Sequence, residues 1–230
     1  MSVIQKKLEK IRKRIESAAL RAGRDPQSVR LVAVSKKIDS HLIAEACACG
    51  QTIFGENYMQ EAKEKINRLQ AAAQWHFIGH IQSKKAKDAA ALFDLVHTVD
   101  SLKLARALDK HAGLAGRTLS VLIQINVGGE AQKEGVAPEN AEELLVSMGE
   151  LANLKVRGLM TMPPFLSNPE DVRPYFRILR QLGEHFAQKG YFDRRDGFEL
   201  SMGMSGDFEV AIEEGATLVR VGTALFGPRS

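Results

Sequence analysis

Apolar side chains recur in steps of three and four at the head of the chain: Ile4, Leu8, Ile11, Ile15, Ala18 and Ala22. That spacing lines one helical face over residues 3–22, and "GRDP" breaks it. Short apolar runs then alternate with longer amphipathic ones. The short runs are "VRLVAVS", "QTIFG", "WHFIG", "DLVHTVD", "LSVLIQINVG", "VRGLMTM", "FELSMG" and "TLVRVGTALFG". The stretches between them, from "SHLIAEACACG" and "NYMQEAKEKINRLQAAA" to "GDFEVAIEEG", carry helical spacing. The short runs are mostly unbroken rather than alternating, as in parallel strands buried on both faces. Eight such strand–helix units predict an α/β fold, a single (β/α)8 TIM barrel with an extra N-terminal helix. An open doubly wound sheet is the alternative. No linker, low-complexity run or repeat divides the chain, so residues 1–230 read as a single domain.

Composition narrows the class without naming a function. Of 230 residues, 44% are hydrophobic and 26% charged, ordinary for a globular chain, and the formal net charge is +4. Basic and acidic residues are interspersed, so no nucleic-acid grip is expected, although small anions would be attracted. The N-terminus lacks the apolar core of a signal peptide and no run reaches membrane-spanning length, which predicts a cytoplasmic protein. Cys47 and Cys49 sit two apart on a helix, point to different faces and are expected to stay unpaired in a reducing compartment. His76, His80 and His97 lack a firm third ligand, so no metal site is expected.

In a barrel, ligands bind at the C-terminal strand ends. The last two ends present Ser201, Ser205, Gly206, Gly222 and Thr223. Glycines let backbone N–H groups approach a ligand, and "MSGDFE" looks like a helix start capped by Ser205 or Asp207. This predicts a phosphate site; ordinary capping is the alternative. The first strand ends at Lys36. A free lysine amine has a pKa of ~10.4, and desolvation in a barrel mouth would free its nitrogen as a nucleophile. Facing a phosphate site, Lys36 suggests a Schiff base to a phosphorylated aldehyde such as pyridoxal phosphate; a solvated or phosphate-pairing lysine is equally compatible. Lys37 should point the other way if strand geometry persists. Strand alternation puts Arg220 inside the barrel with Gly222, unless it serves a core ion pair with Glu199 or Asp207. "SKKAKD" at 83–88 reads as a solvated basic face, and "GGEAQKEG" at 128–135 as a mobile lid.

Several stretches together resemble one family. They are "LVAVSK" around Lys36, "FGENYMQE" at 54–61, "WHFIGHIQSKK" at 75–85, "LIQINV" at 122–127, "RGLMTM" at 157–162, "LSMGMSGDFEVAIEEGAT" at 200–217 and "VRVGTALFG" at 219–227. In this order they resemble the pyridoxal phosphate homeostasis proteins (the YggS/PROSC family), whose barrel is similar to the N-terminal domain of alanine racemase. The resemblance implies that Lys36 holds pyridoxal 5′-phosphate as an internal aldimine. It implies that Ser205, Gly222 and Thr223 hold the phosphate with Ser201 nearby, that Arg220 lies by the pyridine nitrogen, and that Asn57 lines the pocket.

The resemblance also implies a role: a carrier and regulator of vitamin B6, not an enzyme, which delivers the cofactor to apo-enzymes. A cationic arginine would keep the ring nitrogen unprotonated and the cofactor a poor electron sink. The alternative is an amino-acid racemase or related enzyme; the β-rich domain that supplies a racemase's tyrosine base is not expected after Ser230. A monomer is expected, since no apolar stripe is left over. Lys84 stands where the family has asparagine, and Lys37 where it has threonine or an aromatic. Both add positive charge near the mouth.

Overall fold

The computed structural model describes residues 1–69, 73–130, 134–193 and 197–228. Helix α1 (Val3–Arg21) begins at Ser2, whose hydroxyl accepts the Gln5 N–H at 3.1 Å, satisfying one of the first-turn donors. Its stripe of Ile4, Leu8, Ile11, Ile15, Ala18 and Ala19 is buried. Strand and helix then alternate: β1 (Arg30–Val34), α2 (Ser40–Ala48), β2 (Ile53–Glu56), α3 (Met59–Leu69), β3 (Gln74–Phe77), α4 (Ala86–Leu92), β4 (Leu95–Val99) and α5 (Leu102–Leu114). The second half runs β5 (Leu119–Gln124), α6 (Ala141–Met148), β6 (Leu154–Met160), α7 (Arg173–Gln188), β7 (Glu199–Ser201), α8 (Phe208–Glu213), β8 (Leu218–Val221) and the single-turn α9 (Thr223–Phe226).

The strands form one closed barrel in chain order, every pairing parallel. The single-barrel expectation therefore holds and the open sheet does not. Outward-facing strand residues such as Ala33, Phe54, Phe77, Val121, Leu200 and Val219 pack against the helices in the larger core. Inward-facing Val32, Ile53, Leu95, Leu122, Met160 and Leu218 make a separate apolar belt across the interior. Polar groups lie above and below this belt; beneath it Arg30 pairs with Glu199. Helix α1 lies against α2, α8 and α9, outside the β8–β1 seam. Arg14–Glu209 and Arg21–Glu213 pairs tie it to α8 at 2.8 and 2.9 Å.

Two local departures matter. Strand β1 stops at Val34, before the lysines. Helix α9 follows β8 within two residues, so what reads as a strand exit in "VGTALFG" is a helical turn. Of the helix expected through 57–73, residues 70–72 lie outside the described ones. Cys47 and Cys49 are free thiols packed at the core's edge.

The β5–β6 register shifts after Val121, where Gly158 adopts φ 150°. A Cβ there would stand 2.0 Å from the Glu199 carbonyl oxygen. Neither the dihedral nor the contact tolerates a side chain. Gly158→Ala is expected to destabilise the fold by on the order of 2 kcal/mol or more, read as a lower urea midpoint. An unchanged midpoint would contradict this account of the bulge.

Candidate functional site

A cavity of about 430 Å³ opens at the C-terminal end of the barrel. Of the residues singled out from the sequence, Lys36, Asn57, Ser205, Arg220, Gly222 and Thr223 all line it. The β1–β8 register explains the convergence. Ala33 pairs with Val221, so the chain just past β1 and the chain just past β8 emerge side by side. Val34, Ile78, Met162, Pro164, Phe165 and Leu166 supply apolar walls. Phe165 is 92% exposed, and it forms part of an apolar rim at the mouth.

One side of the cavity is built of donors. Among the turn and loop hydrogen bonds of the described residues, none is donated by the N–H of Ser205, Gly206 or Gly222. Gly222 is the N-cap of α9 and Thr223 its first residue. Ser205 Oγ accepts the Ala224 N–H only at 3.5 Å, the outer limit of a hydrogen bond. Asp207, not Ser205, caps α8, and its carboxylate accepts the Met204 N–H at 2.6 Å. Gly203, at φ 89°, lets α8 close in: a Cβ there would stand 2.5 Å from that of Ala211.

Asn57 projects from the loop after β2. Gly79 lets its backbone in, since a Cβ at Gly79 would meet Asn57 O at 2.4 Å. Asn57 Oδ1 is buried without a hydrogen-bond partner among the described residues. A buried acceptor left unpaired costs about 1–3 kcal/mol, and a ligand donor would recover it.

Lys36 is half-buried at the edge of the cavity. The strand geometry does not persist beyond it. Ile38 N–H bonds Ser35 O at 3.0 Å, closing a turn in which Lys37 takes φ 58°. Lys37 is exposed and is the only non-glycine residue with positive φ among the described residues.

Beneath the cavity a polar column crosses the barrel interior. Arg220 is 3% exposed, and it donates from Nη1 to Ser201 Oγ at 2.6 Å and from Nη2 to Thr161 O at 2.8 Å. Ser201 Oγ lies 2.9 Å from His97 Nδ1, and His97 Nε2 lies 3.0 Å from His76 Nδ1. An arginine only donates, so Ser201 Oγ accepts from Arg220 and keeps both a proton and a second lone pair for His97 Nδ1. Of the facing His97 Nε2 and His76 Nδ1, one carries the hydrogen and the other accepts it. Burial pulls the guanidinium down to about 10, partly offset by the Asp207 carboxylate, and it stays cationic at neutral pH. Burial likewise holds His97 well below its usual range and His76 at about 3, so both rings are neutral.

Ser201 thus does not line the cavity: it sits one layer below and braces Arg220. Arg220 is not in a core ion pair through Glu199, which pairs with Arg30. The imidazoles of His76 and His97 serve each other, a role the sequence alone did not suggest. The signal was their period-two placement inside "WHF" and "VHT", which turns both rings inward. His80 is exposed and faces Glu134 at 3.1 Å. Lys84, Lys85 and Lys87 are solvent-exposed. Of the lid expected over 128–135, residues 131–133 lie outside the described ones; Gly128 packs against Pro164. No group of three or more metal-ligating side chains occurs among the described residues.

The family model for the alanine racemase N-terminal domain matches residues 7–230. A pyridoxal phosphate homeostasis protein from Aquifex aeolicus is 47% identical over 224 residues, covering 97% of each chain. The structure of PipY from Synechococcus elongatus with PLP bound superposes with a TM-score of 0.81 at 38% identity, covering 94% of this chain and all (100%) of that one. Alanine racemase from Clostridium difficile shares the fold at TM-score 0.71 and 14% identity, with 98% of this chain matching 55% of the racemase. The chain is therefore a barrel of the alanine racemase N-terminal type. It belongs to the family of pyridoxal phosphate homeostasis proteins.

The neutral histidines generate a pH prediction. Above pH ~6.5 His76 is neutral folded and unfolded, and contributes nothing. Below that value the unfolded chain binds a proton that the folded chain, at about 3, refuses. Stability is therefore lost as pH falls, by up to roughly 1.4 kcal/mol per pH unit for one such group. His76→Gln should flatten the fall in unfolding free energy between pH 6.5 and 4.5. Parallel curves for the two proteins would refute the assignment.

Proposed function

We propose that this chain binds pyridoxal 5′-phosphate reversibly on Lys36, takes part in vitamin B6 homeostasis, and hands the cofactor to apo-enzymes. The observation that carries this is the convergence, in one cavity, of an amine, a bank of unengaged backbone donors and an orphaned buried acceptor. Those groups fit an aldehyde, a phosphate and a hydroxyl on one planar ring. Membership in the family, and the bound PLP named for PipY, support the same reading.

When bound, the cofactor supplies an aldehyde carbon that can join a primary amine with loss of water. Lys36 offers that amine. Ser205, Gly222 and Thr223 would hold the phosphate through hydroxyls and backbone N–H groups. Arg220, held as a cation by Ser201 and Thr161, would donate to the ring nitrogen and keep it unprotonated. Asn57 would accept from the ring's hydroxyl side. The titratable residues lining the cavity are Lys36, Asp207 and Arg220, with no tyrosine, histidine or cysteine among the lining residues. The Asp207 carboxylate is taken by the Met204 N–H, an arginine is not a base, and so no second base stands opposite the Lys36 amine among the lining residues. We therefore read the site as a holder rather than a catalyst. Among the described residues no helix is long and apolar enough to cross a membrane. A cytoplasmic, monomeric carrier completes the proposal.

Protein mixed with pyridoxal 5′-phosphate should develop a visible band near ~420 nm that Lys36→Ala abolishes. A band that survives this substitution would exclude Lys36 as the anchor. Ser205→Ala combined with Thr223→Ala should weaken retention, each lost charge-assisted hydrogen bond costing about 1.5–3 kcal/mol. Equilibrium dialysis with unchanged affinity would count against the phosphate assignment.

A further inference from the structure

Behind β1, on the side away from the cavity, a closed set of charged groups grips the residues on either side of Lys36. Lys65 of α3 is buried, and its ammonium reaches Ser35 O at 2.5 Å, Glu56 Oε1 at 2.8 Å and Glu61 Oε1 at 2.6 Å. Those three acceptors use all three of its protons. Ser35 Oγ donates to the same Glu56 oxygen at 2.7 Å, and the Lys37 N–H donates to the same Glu61 oxygen at 2.5 Å. Burial raises the Glu56 carboxyl, while its bonds to Lys65 and Ser35 pull it back down.

We infer that Glu61 and Lys65 are positioning residues for Lys36: they hold the strained Ser35–Ile38 turn that aims its side chain into the cavity. Lys36 and Lys37 occupy the two central positions of that turn, and a positive φ at the second normally calls for glycine. A lysine there is strained and persists only when its surroundings over-determine it. The surroundings do so: the bonds from α3 and β2 fall on Ser35 O, Ser35 Oγ and the Lys37 N–H, flanking Lys36 on both sides. Glu61 and Lys65 lie four apart, on one face of α3, so a single helix sets both grips. Without them the turn relaxes and the side chain of Lys36 loses its fixed entry into the cavity.

The inference rests on Lys36 as the cofactor's anchor, and its test separates the two ideas. Glu61→Ala should accelerate hydrogen exchange of the Lys37 amide, a readout that needs no cofactor. It should also slow growth of the ~420 nm band by roughly tenfold. Competition by inorganic phosphate should be unchanged, because neither Glu61 nor Lys37 lines the cavity. Glu61→Gln, which keeps an acceptor, should retain most of the rate. Adding Lys37→Gly to Glu61→Ala should restore most of it by removing the strain. Lys65→Met should repeat the slow loading where it folds. Band growth at the wild-type rate in Glu61→Ala, or no rescue by Lys37→Gly, would overturn the positioning role. A wild-type protein that forms no band would instead remove the cofactor reading. In that case unchanged Lys37 amide exchange in Glu61→Ala would still refute the clamp, and accelerated exchange would still support it.

Discussion

The pairing of the last strand with the first is the constraint on which the site depends. Val32 lies beside Arg220 and Ala33 beside Val221. Leu31, Ala33, Val219 and Val221 face outward into the helical layer and are buried there, while Val32 and Leu218 join the inner belt. A slip of one residue would exchange these sets, exposing apolar side chains to the interior's polar layers and burying Arg220 under helices. Hydrophobic packing outside the barrel thus fixes which polar groups meet inside it. Lys36 and the Gly222–Thr223 turn are distant in sequence, and this register makes them neighbours.

The interior then handles two expensive features. One is a guanidinium buried, among the described residues, without a carboxylate at hydrogen-bonding distance. Removing such a charge from water is costly, and the hydrogen bonds to Ser201 and Thr161, together with the more distant Asp207 carboxylate, offset part of that cost. The low dielectric that makes the burial costly also strengthens the arginine's field in the cavity above. The other is the left-handed Lys37 beside Lys36. Arg220 lines the cavity itself, and Lys37 adjoins Lys36, which lines it too.

Much of this was legible in the chain. Strands buried on both faces leave unbroken apolar runs, and the rhythm of eight such runs between helical stretches is enough for a barrel. Once the barrel is assumed, reading strand ends brings Lys36, Asn57, Ser205, Gly222 and Thr223 to one mouth. What stayed hidden depends on register and termination. Strand alternation extended past Val34 would send Lys37 to the opposite face, but β1 ends and Lys37 enters a conformation that no lysine propensity signals. Ser201 was expected by the phosphate. Strand β7 is only three residues long, so the chain leaves the sheet at Gly203, Ser205 reaches the cavity and Ser201 stays a layer beneath. His97 meets His76 because β4 is staggered on β3, with His76 opposite Leu95, and nothing local in "VHT" encodes that. Lys65 flanks the apolar stripe of α3, where a lysine usually reads as solvated; the carboxylates of Glu56 and Glu61 and the Ser35 carbonyl account for its burial.

On the proposed function, Lys36 Nζ is the nitrogen that takes the cofactor. Reduction of the protein–pyridoxal phosphate complex with borohydride, followed by mass-spectrometric peptide mapping, tests it directly. The account predicts a single stoichiometric modification on Lys36. Modification on Lys37 or Lys84, or spread thinly over surface lysines with Lys36 untouched, would contradict it.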